Sequence, residues 1–405
     1  MVMEPKPELI KLASKNLRGM ITPSPIIHSS VLSRIVGSEI FLKLENLQET
    51  GSFKVRGALN RLVQLGEEER RRGVIAASAG NHAQGVAWAS SKLGIRATIV
   101  MPEEVSIRKL LAVKEYGTEI ILHGGHYDDA YAHALAISQD TGKILIPAFD
   151  DPHVIAGQGT IGLEISHLLE EGVAVVVPVG GGGLISGIAL SVKESNPKVH
   201  VVGVQTNACP SMIHSLTSER PVSVNVAPTL ADGIAVKKPG QLTFPIVKRY
   251  VDEMVGVEEE SIAGAIMGLL EKANIIVEGA GATPLAALMD QKVSTKARRY
   301  ILIISGGNIE VHTIDRILQK GSVKMGRLIR IQVDLRDVPG SLWGLLGIIA
   351  AEKANILHIF HDRLAPDNPI AVSRVKLNLE TRGPEHARDV LHKLKEAGYD
   401  VRRIL

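Results

Sequence analysis

The segment GVAVVVPVGGGGLISGIALSV, residues 172 to 192, limits what this 405-residue chain can fold into more than any other stretch. It is apolar and long enough to cross a bilayer, yet Pro178 and the run Gly180 to Gly183 lie in its middle. Those residues would leave backbone N–H and C=O groups unpaired in hydrocarbon, where no water replaces the lost partners. The same letters fit a buried strand (VAVVVPV), a glycine turn, and a helix beginning near Leu184. A strand hidden on both faces belongs to a parallel sheet covered by helices.

The flanking text agrees. From residue 73, GVIAAS, NHAQGVAWASSKLG, IRATIVMP, SIRKLLAVKEYG, TEIILHG, a helical stretch around Tyr131 and KILIPAF alternate strand-like and helix-like pieces, as βαβ units do. A second series repeats the logic: GLEISHLLEEG, VAVVVPV, GGLISGIALSVKES, VHVVGVQ, a long helix over about 259 to 273, and RRYILIIS. Two α/β lobes meeting at a cleft are predicted, the smaller covering about residues 50 to 150 and inserted in the larger. Ligands bind such sheets at the carboxyl ends of the strands, where the glycines cluster.

After about residue 318 the pattern changes. RLIRIQVDL (327 to 335) alternates, with Ile329, Ile331, Val333 and Leu335 on one face, as a half-solvated antiparallel strand does. A turn and helix (DVPGSLWGLLGIIAAEKA), two strands (NILHIFHDR, IAVSRVKLNLE), a helix (PEHARDVLHKLKEAG) and a last strand (YDVRRI) follow. The order βαββαβ is ferredoxin-like. The chain exceeds the size of one core, and we divide it into a catalytic region 1–322, a linker 323–327 and a C-terminal domain 328–405. That last domain carries no glycine loop or acid-base cluster and has the character of a sensor.

Charge and cysteine content narrow the partners. Lys plus Arg number 46 against 43 for Asp plus Glu, a net charge of +3 without basic runs, which disfavours a nucleic-acid partner. The single cysteine, Cys209, rules out an internal disulfide framework, and MVMEPKPELIKLASK lacks a signal peptide's apolar core. A cytoplasmic, non-membrane protein is expected.

Two features carry chemistry. Gly180, Gly181, Gly182, Gly183 and Leu184 offer unobstructed amides at a helix N-terminus, an anion nest, unless the turn is merely flexible. The G-x-G-x-x-G fingerprint fails in both registers, ending on Ser186 or Ile185, so a phosphate monoester fits better than a pyrophosphate. In TGSFKVRGA (50 to 58), Lys54 stands between Phe53 and Val55 in what reads as a tight turn framed by Gly51 and Gly57. A lysine in one lobe and a phosphate nest in the other suit pyridoxal 5'-phosphate, whose aldehyde forms a Schiff base with an amine.

TGSFKVRGA, SAGNHAQG (78 to 85), GGGGL, TLADGIAV (229 to 236) and SGGN (305 to 308) together resemble the fold-type II pyridoxal-phosphate enzymes, and among them the threonine dehydratases, over residues 5 to 320. DVPGSL and its surroundings resemble an ACT domain. The resemblance implies a two-lobed α/β fold with that C-terminal module and Lys54 as the lysine bound to the cofactor aldehyde. Phe53 would pack beside the ring and Asn81 donate to its phenolic oxygen. Ser305 would face the pyridine nitrogen, and Ser78, Ala79, Gly80, Asn81 and His82 would hold the substrate carboxylate. SAGNH equally reads as a helix cap, and His82 also has a structural reading. Glu278, in VEGAGAT after an apolar strand end, is costly to bury unpaired and is taken as cofactor-orienting or structural.

Two departures matter. Related serine racemases place an acidic, cation-binding residue where this chain has Gln205, so no metal is expected, although carbonyl oxygens near Ala231 and Asp232 suit a monovalent ion. Ala79 stands where those racemases resemble SSGNH, and it has no proton to give. The implied activity is dehydration of L-threonine, with L-serine as a second substrate. The rivals are serine dehydration or racemisation, and a catalytically silent amino-acid sensor. Isoleucine or valine is the implied effector, near Asp337, Pro339 and Gly340, in a homodimer or homotetramer.

Overall fold

The computed structural model describes residues 5–364 and 369–404. They form two compact units, one ending at Ile309 and the other starting at Glu310. In the first, the strands Ile26–His28, Glu39–Leu44, Arg299–Ile304, Val173–Pro178, His200–Thr206 and Glu253–Val257 lie side by side in that order. The first pairs antiparallel with its neighbour and the rest run parallel. Every residue of Val173–Pro178 is buried, as its unbroken apolar run requires. A smaller parallel sheet, ordered Glu119–Leu122, Ala97–Met101, Val74–Ala77, Ile144–Leu145, forms the second lobe of this unit. Among the described residues no helix is long and apolar enough to cross a membrane.

Helix packing in this unit depends on glycine. Gly187 in helix Gly183–Ser195 meets helix Pro152–Glu164 so closely that a Cβ would stand 2.3 Å from the Ile155 carbonyl oxygen and 2.5 Å from the Gly159 nitrogen. Backbone cannot move aside as a flexible side chain can. We expect Gly187→Ala to destabilise the fold by about 1–3 kcal/mol, measured as a lower urea midpoint with unchanged slope.

Gly57 corrects the sequence reading in the same way. Lys54 does not sit inside a tight turn; it opens the helix Lys54–Val63, and Gly57 lies within that helix. A Cβ on Gly57 would stand 2.9 Å from Val154 Cγ1, and one on Gly157 would stand 2.7 Å from the Gly57 Cα. Gly57 is therefore small so that two helices can touch, and it frames no turn. Arg56, in the first turn of that helix, is 1 % exposed and binds two carboxylates. Its Nε and Nη2 donate to Glu45 at 2.7 and 2.9 Å, and Nη1 and Nη2 donate to Glu164 at 2.6 and 2.9 Å. Lys43 joins the cluster through Glu164, so two cations face two anions in the interior.

The second unit begins with helix Val311–Lys324, whose buried residue is Ile317 and which packs on strand Leu328–Arg336. The division by compactness thus falls ahead of the 323–327 linker read from the sequence. Its sheet is antiparallel, ordered Asn355–Asp362, Val372–Glu380, Leu328–Arg336, Val401–Arg403, with helices Ser341–Ala351 and Pro384–Glu396 completing βαββαβ. Ile329, Ile331, Val333 and Leu335 point into its core with Val375, Leu377 and Leu379.

Candidate active site

Lys54 lies where the two lobes of the first unit meet. Its Nζ donates to the Ala148 carbonyl at 2.7 Å and stands 5.2 Å from the centre of the Phe53 ring. Helix Asn81–Leu93 crosses so near that a Cβ on Gly85 would be 3.1 Å from the Lys54 carbonyl carbon. Burial of the amine pushes its pKa down to about 8, against the opposing pull of the Glu278 charge. Such an amine is neutral in a useful fraction near neutral pH.

The segment after strand Ile144–Leu145 joins the separate pieces. Ala148 receives the lysine, and the adjoining Phe149 ring supports the glycine loop, 2.5 Å from where a Cβ on Gly181 would sit. Gly180 meets Ile234 at 3.0 Å, Gly182 meets Met212 and Thr243 at 2.8 Å, and Gly183 meets Phe149 at 2.8 Å by the same measure. Gly182 adopts φ 99°, a left-handed conformation that favours glycine. Protein packed against the loop where side chains would stand keeps those positions glycine. Gly181, Gly182, Gly183 and Leu184 are buried, and the helix they open has a glycine at its N-cap, with no side-chain cap among the described residues. A buried helix N-terminus needs an acceptor, and a phosphate fits it.

SAGNH follows strand Val74–Ala77. Ser78, Ala79, Gly80 and Asn81 are half-buried, and Ser78 Oγ accepts from the Gly80 amide at 3.2 Å, so this serine caps its own loop. His82 is buried and bonds through Nε2 to the Ile146 carbonyl at 2.9 Å. Because that partner only accepts, Nε2 carries the proton. Burial and the Lys54 charge push the imidazole pKa down to about 3, so the ring is neutral.

Glu278 is 5 % exposed, just before helix Gly279–Met289. The apolar residues ahead of it do not form a strand, because their backbone lies outside every sheet. The carboxylate is partnered: Asn81 Nδ2 donates to both its oxygens, at 2.8 and 3.0 Å. Burial pushes its pKa up to about 7 despite that donation. Ser305, 2 % exposed, follows the end of strand Arg299–Ile304, and its carbonyl accepts from the Phe53 amide at 3.1 Å. A backbone bridge between Ser52 and Gly306 lies beside it.

Gln205 is committed elsewhere: its Oε1 accepts from the Met212 and Ile213 amides at 2.9 and 3.0 Å. Among the described residues no group of His, Cys, Asp and Glu has the makings of a metal site. In the second unit Asp337 pairs with Arg363 at 3.0 Å, and Gly340 takes φ 90° at the start of helix Ser341–Ala351. Sequence reasoning gave no role to Ala148, Phe149 or Asn308. The first two lack any motif, whereas Asn308 stood inside SGGN.

Comparison with known proteins places these residues in context. A family model described as pyridoxal-phosphate dependent enzyme matches residues 17–306. The chain is 52 % identical over 395 residues to an L-threonine ammonia-lyase of Thermotoga maritima, covering 98 % of each chain. It is 47 % identical over 393 residues to an L-threonine ammonia-lyase of Geobacter sulfurreducens, covering 97 % of this chain and 98 % of the other. Among solved structures, the processed form of threonine deaminase isoform 2 from Solanum lycopersicum aligns with TM-score 0.73 and 37 % identity, over 80 % of this chain and 92 % of that one. The matched region takes in the lysine, the uncapped glycine loop and the buried Glu278 alike, and on that ground the chain belongs to the pyridoxal-phosphate dependent enzymes.

Proposed function

We propose that the chain is an L-threonine ammonia-lyase, converting L-threonine to 2-oxobutanoate and ammonia and L-serine to pyruvate and ammonia. The observation that carries this is 52 % identity to an L-threonine ammonia-lyase over 98 % of both chains. When bound, the cofactor supplies an aldehyde that condenses with amines and a ring that draws electrons from the substrate Cα. Lys54 is the residue for the aldehyde and the amides of Gly180 to Leu184 are those for the phosphate. Phe53 would cover the ring face, Ser305 would face the ring nitrogen, and Asn81, held by Glu278, would donate to the phenolic oxygen.

The chain's own groups then divide the work. Lys54 Nζ, held by desolvation near neutrality, takes the Cα proton. The loop from Ser78 to His82 is the one for the substrate carboxylate: the Ser78 and Gly80 amides already donate, to the Val100 carbonyl and to Ser78 Oγ, which leaves those of Ala79, Asn81 and His82, and the neutral His82 ring adds no charge there. Ser305 offers a hydroxyl, which cannot protonate a pyridine as a carboxylic acid does, and this favours prompt loss of the β-hydroxyl over a long-lived carbanion. Ala79 has no proton for the opposite face of Cα, which disfavours racemisation. The β-hydroxyl takes up a proton and leaves as water, and one water is consumed when the enamine product, as its imine tautomer, hydrolyses, so the net loss is ammonia.

The test is a steady-state comparison of both substrates. One methyl in an apolar pocket discriminates by about 1–3 kcal/mol, so threonine is expected to exceed serine in kcat/KM by roughly 10- to 200-fold. D-serine as the main product from L-serine would reject the reading. The ACT-like second unit supports control by isoleucine or valine near Asp337, Pro339 and Gly340, in a homodimer or homotetramer. If neither amino acid changes the kinetics or the sedimentation, that control is absent.

The lysine gives a pH prediction of its own. Condensation with an aldehyde needs the neutral amine, and below pH 8 that fraction falls about tenfold per unit. The rate of pyridoxal phosphate uptake by apoprotein should therefore rise with pH and level off near 8. A rise continuing beyond pH 10 would mean a solvated lysine.

A further inference from the structure

Asn308 has no part in the mechanism above, yet it is bonded to two of the segments that build the site and lies beside a third. Its side-chain Nδ2 donates to the Thr50 carbonyl at 2.8 Å and to Asn81 Oδ1 at 2.8 Å. Its backbone N–H lies near enough to the Glu278 carboxylate to favour the charged form. Its Oδ1 packs over Gly51, at φ 71°, where a Cβ would stand 2.6 Å away.

We propose that Asn308 is a positioning residue that sets which way round the Asn81 carboxamide lies. The polarity of the chain of bonds leaves no choice. A backbone carbonyl only accepts, so the Asn308 atom facing Thr50 is the nitrogen. That same nitrogen faces Asn81 and requires an acceptor there, which is Oδ1. Asn81 Nδ2 is thereby turned to Glu278, which it meets at 2.8 and 3.0 Å. A flipped Asn81 would set donor against donor at Asn308 and acceptor against acceptor at Glu278. One N–H of Asn81 serves the carboxylate, and the other is left for the cofactor's phenolic oxygen, in the role proposed above. Asn308 thus delivers the polarity of the Thr50 carbonyl to the cofactor site. Around Glu278 the other charged groups are Asp232, Lys109 and Lys54.

This inference rests on the proposed pyridoxal phosphate site, and its test keeps the two apart. Apoprotein is titrated with pyridoxal phosphate, reading the visible absorbance band of the loaded protein, for wild type, N308A, N308D, N81A and the two double variants. Asn308→Ala should weaken binding about tenfold, as loss of a hydrogen bond to a charged oxygen does. Asn308→Asp keeps the size and the packing over Gly51 but reverses the polarity, so it should bind no better than Asn308→Ala. In the Asn81→Ala background, Asn308→Ala should add less than about twofold, because the effect runs through Asn81. Near-wild-type binding by Asn308→Asp would reduce Asn308 to packing and overturn the proposal. So would an unaltered Asn308→Ala, or an equal effect with and without Asn81. If the wild type binds no pyridoxal phosphate, the functional reading falls and this inference with it.

Discussion

Lys54→Ala is expected to lower kcat for L-threonine by at least about 10⁴-fold, since it removes both the group that binds the aldehyde and the base for Cα. The loss should sit in kcat rather than KM, because the carboxylate loop from Ser78 to His82 is untouched. Folding should survive. Lys54 opens its helix and among the described residues its side chain makes one hydrogen bond, to Ala148, and removing a desolvated amine relieves burial as well as losing that bond. Steady-state kinetics and a urea melt on the same preparation check both halves, and a variant keeping a tenth of wild-type turnover would remove Lys54 from the chemistry.

Arg56→Ala should do the reverse, destabilising the fold strongly without changing any group that touches substrate. Glu45 is fully buried and depends on Arg56 for two hydrogen bonds, with Lys43 3.9 Å away. Removing one partner of a buried ion pair strands the other charge, at a cost of about 3–5 kcal/mol. Because Arg56 ties the helix that starts at Lys54 to strand Glu39–Leu44's end and to helix Pro152–Glu164, some loss of activity should accompany the lower urea midpoint. A change below about 1 kcal/mol would mean that the cluster is held by water instead.

Much of the fold was legible because it rests on short-range pattern. The unbroken apolar run at 173–178, with glycines after it, admits little besides a parallel strand and a helix start, and the alternation at 328–336 marks a half-buried antiparallel strand. Gly57 was misread because a glycine needed for helix contact and a glycine needed for a turn look alike in one dimension; the difference is made by Gly157, a hundred residues on. The apolar residues before Glu278 suggested a strand for a similar reason, since burial alone does not pair a backbone.

At the candidate site, SAGNH, GGGGL and SGGN drew attention to the residues inside them, although Asn308 was given no role. Those that act from outside a motif were not foreseeable. Ala148 accepts from Lys54 with a carbonyl that every residue possesses, and Phe149 acts as a wall behind Gly181. Nor does the sequence show that Glu278, expensive to bury alone, is matched by Asn81, 197 positions away.

The central claim is that the Lys54 amine holds the pyridoxal phosphate aldehyde. Borohydride reduction of the native protein followed by peptide mapping tests it most directly. We predict a single stable adduct on Lys54. An adduct on another lysine, or none in protein that still turns over threonine, would contradict the account.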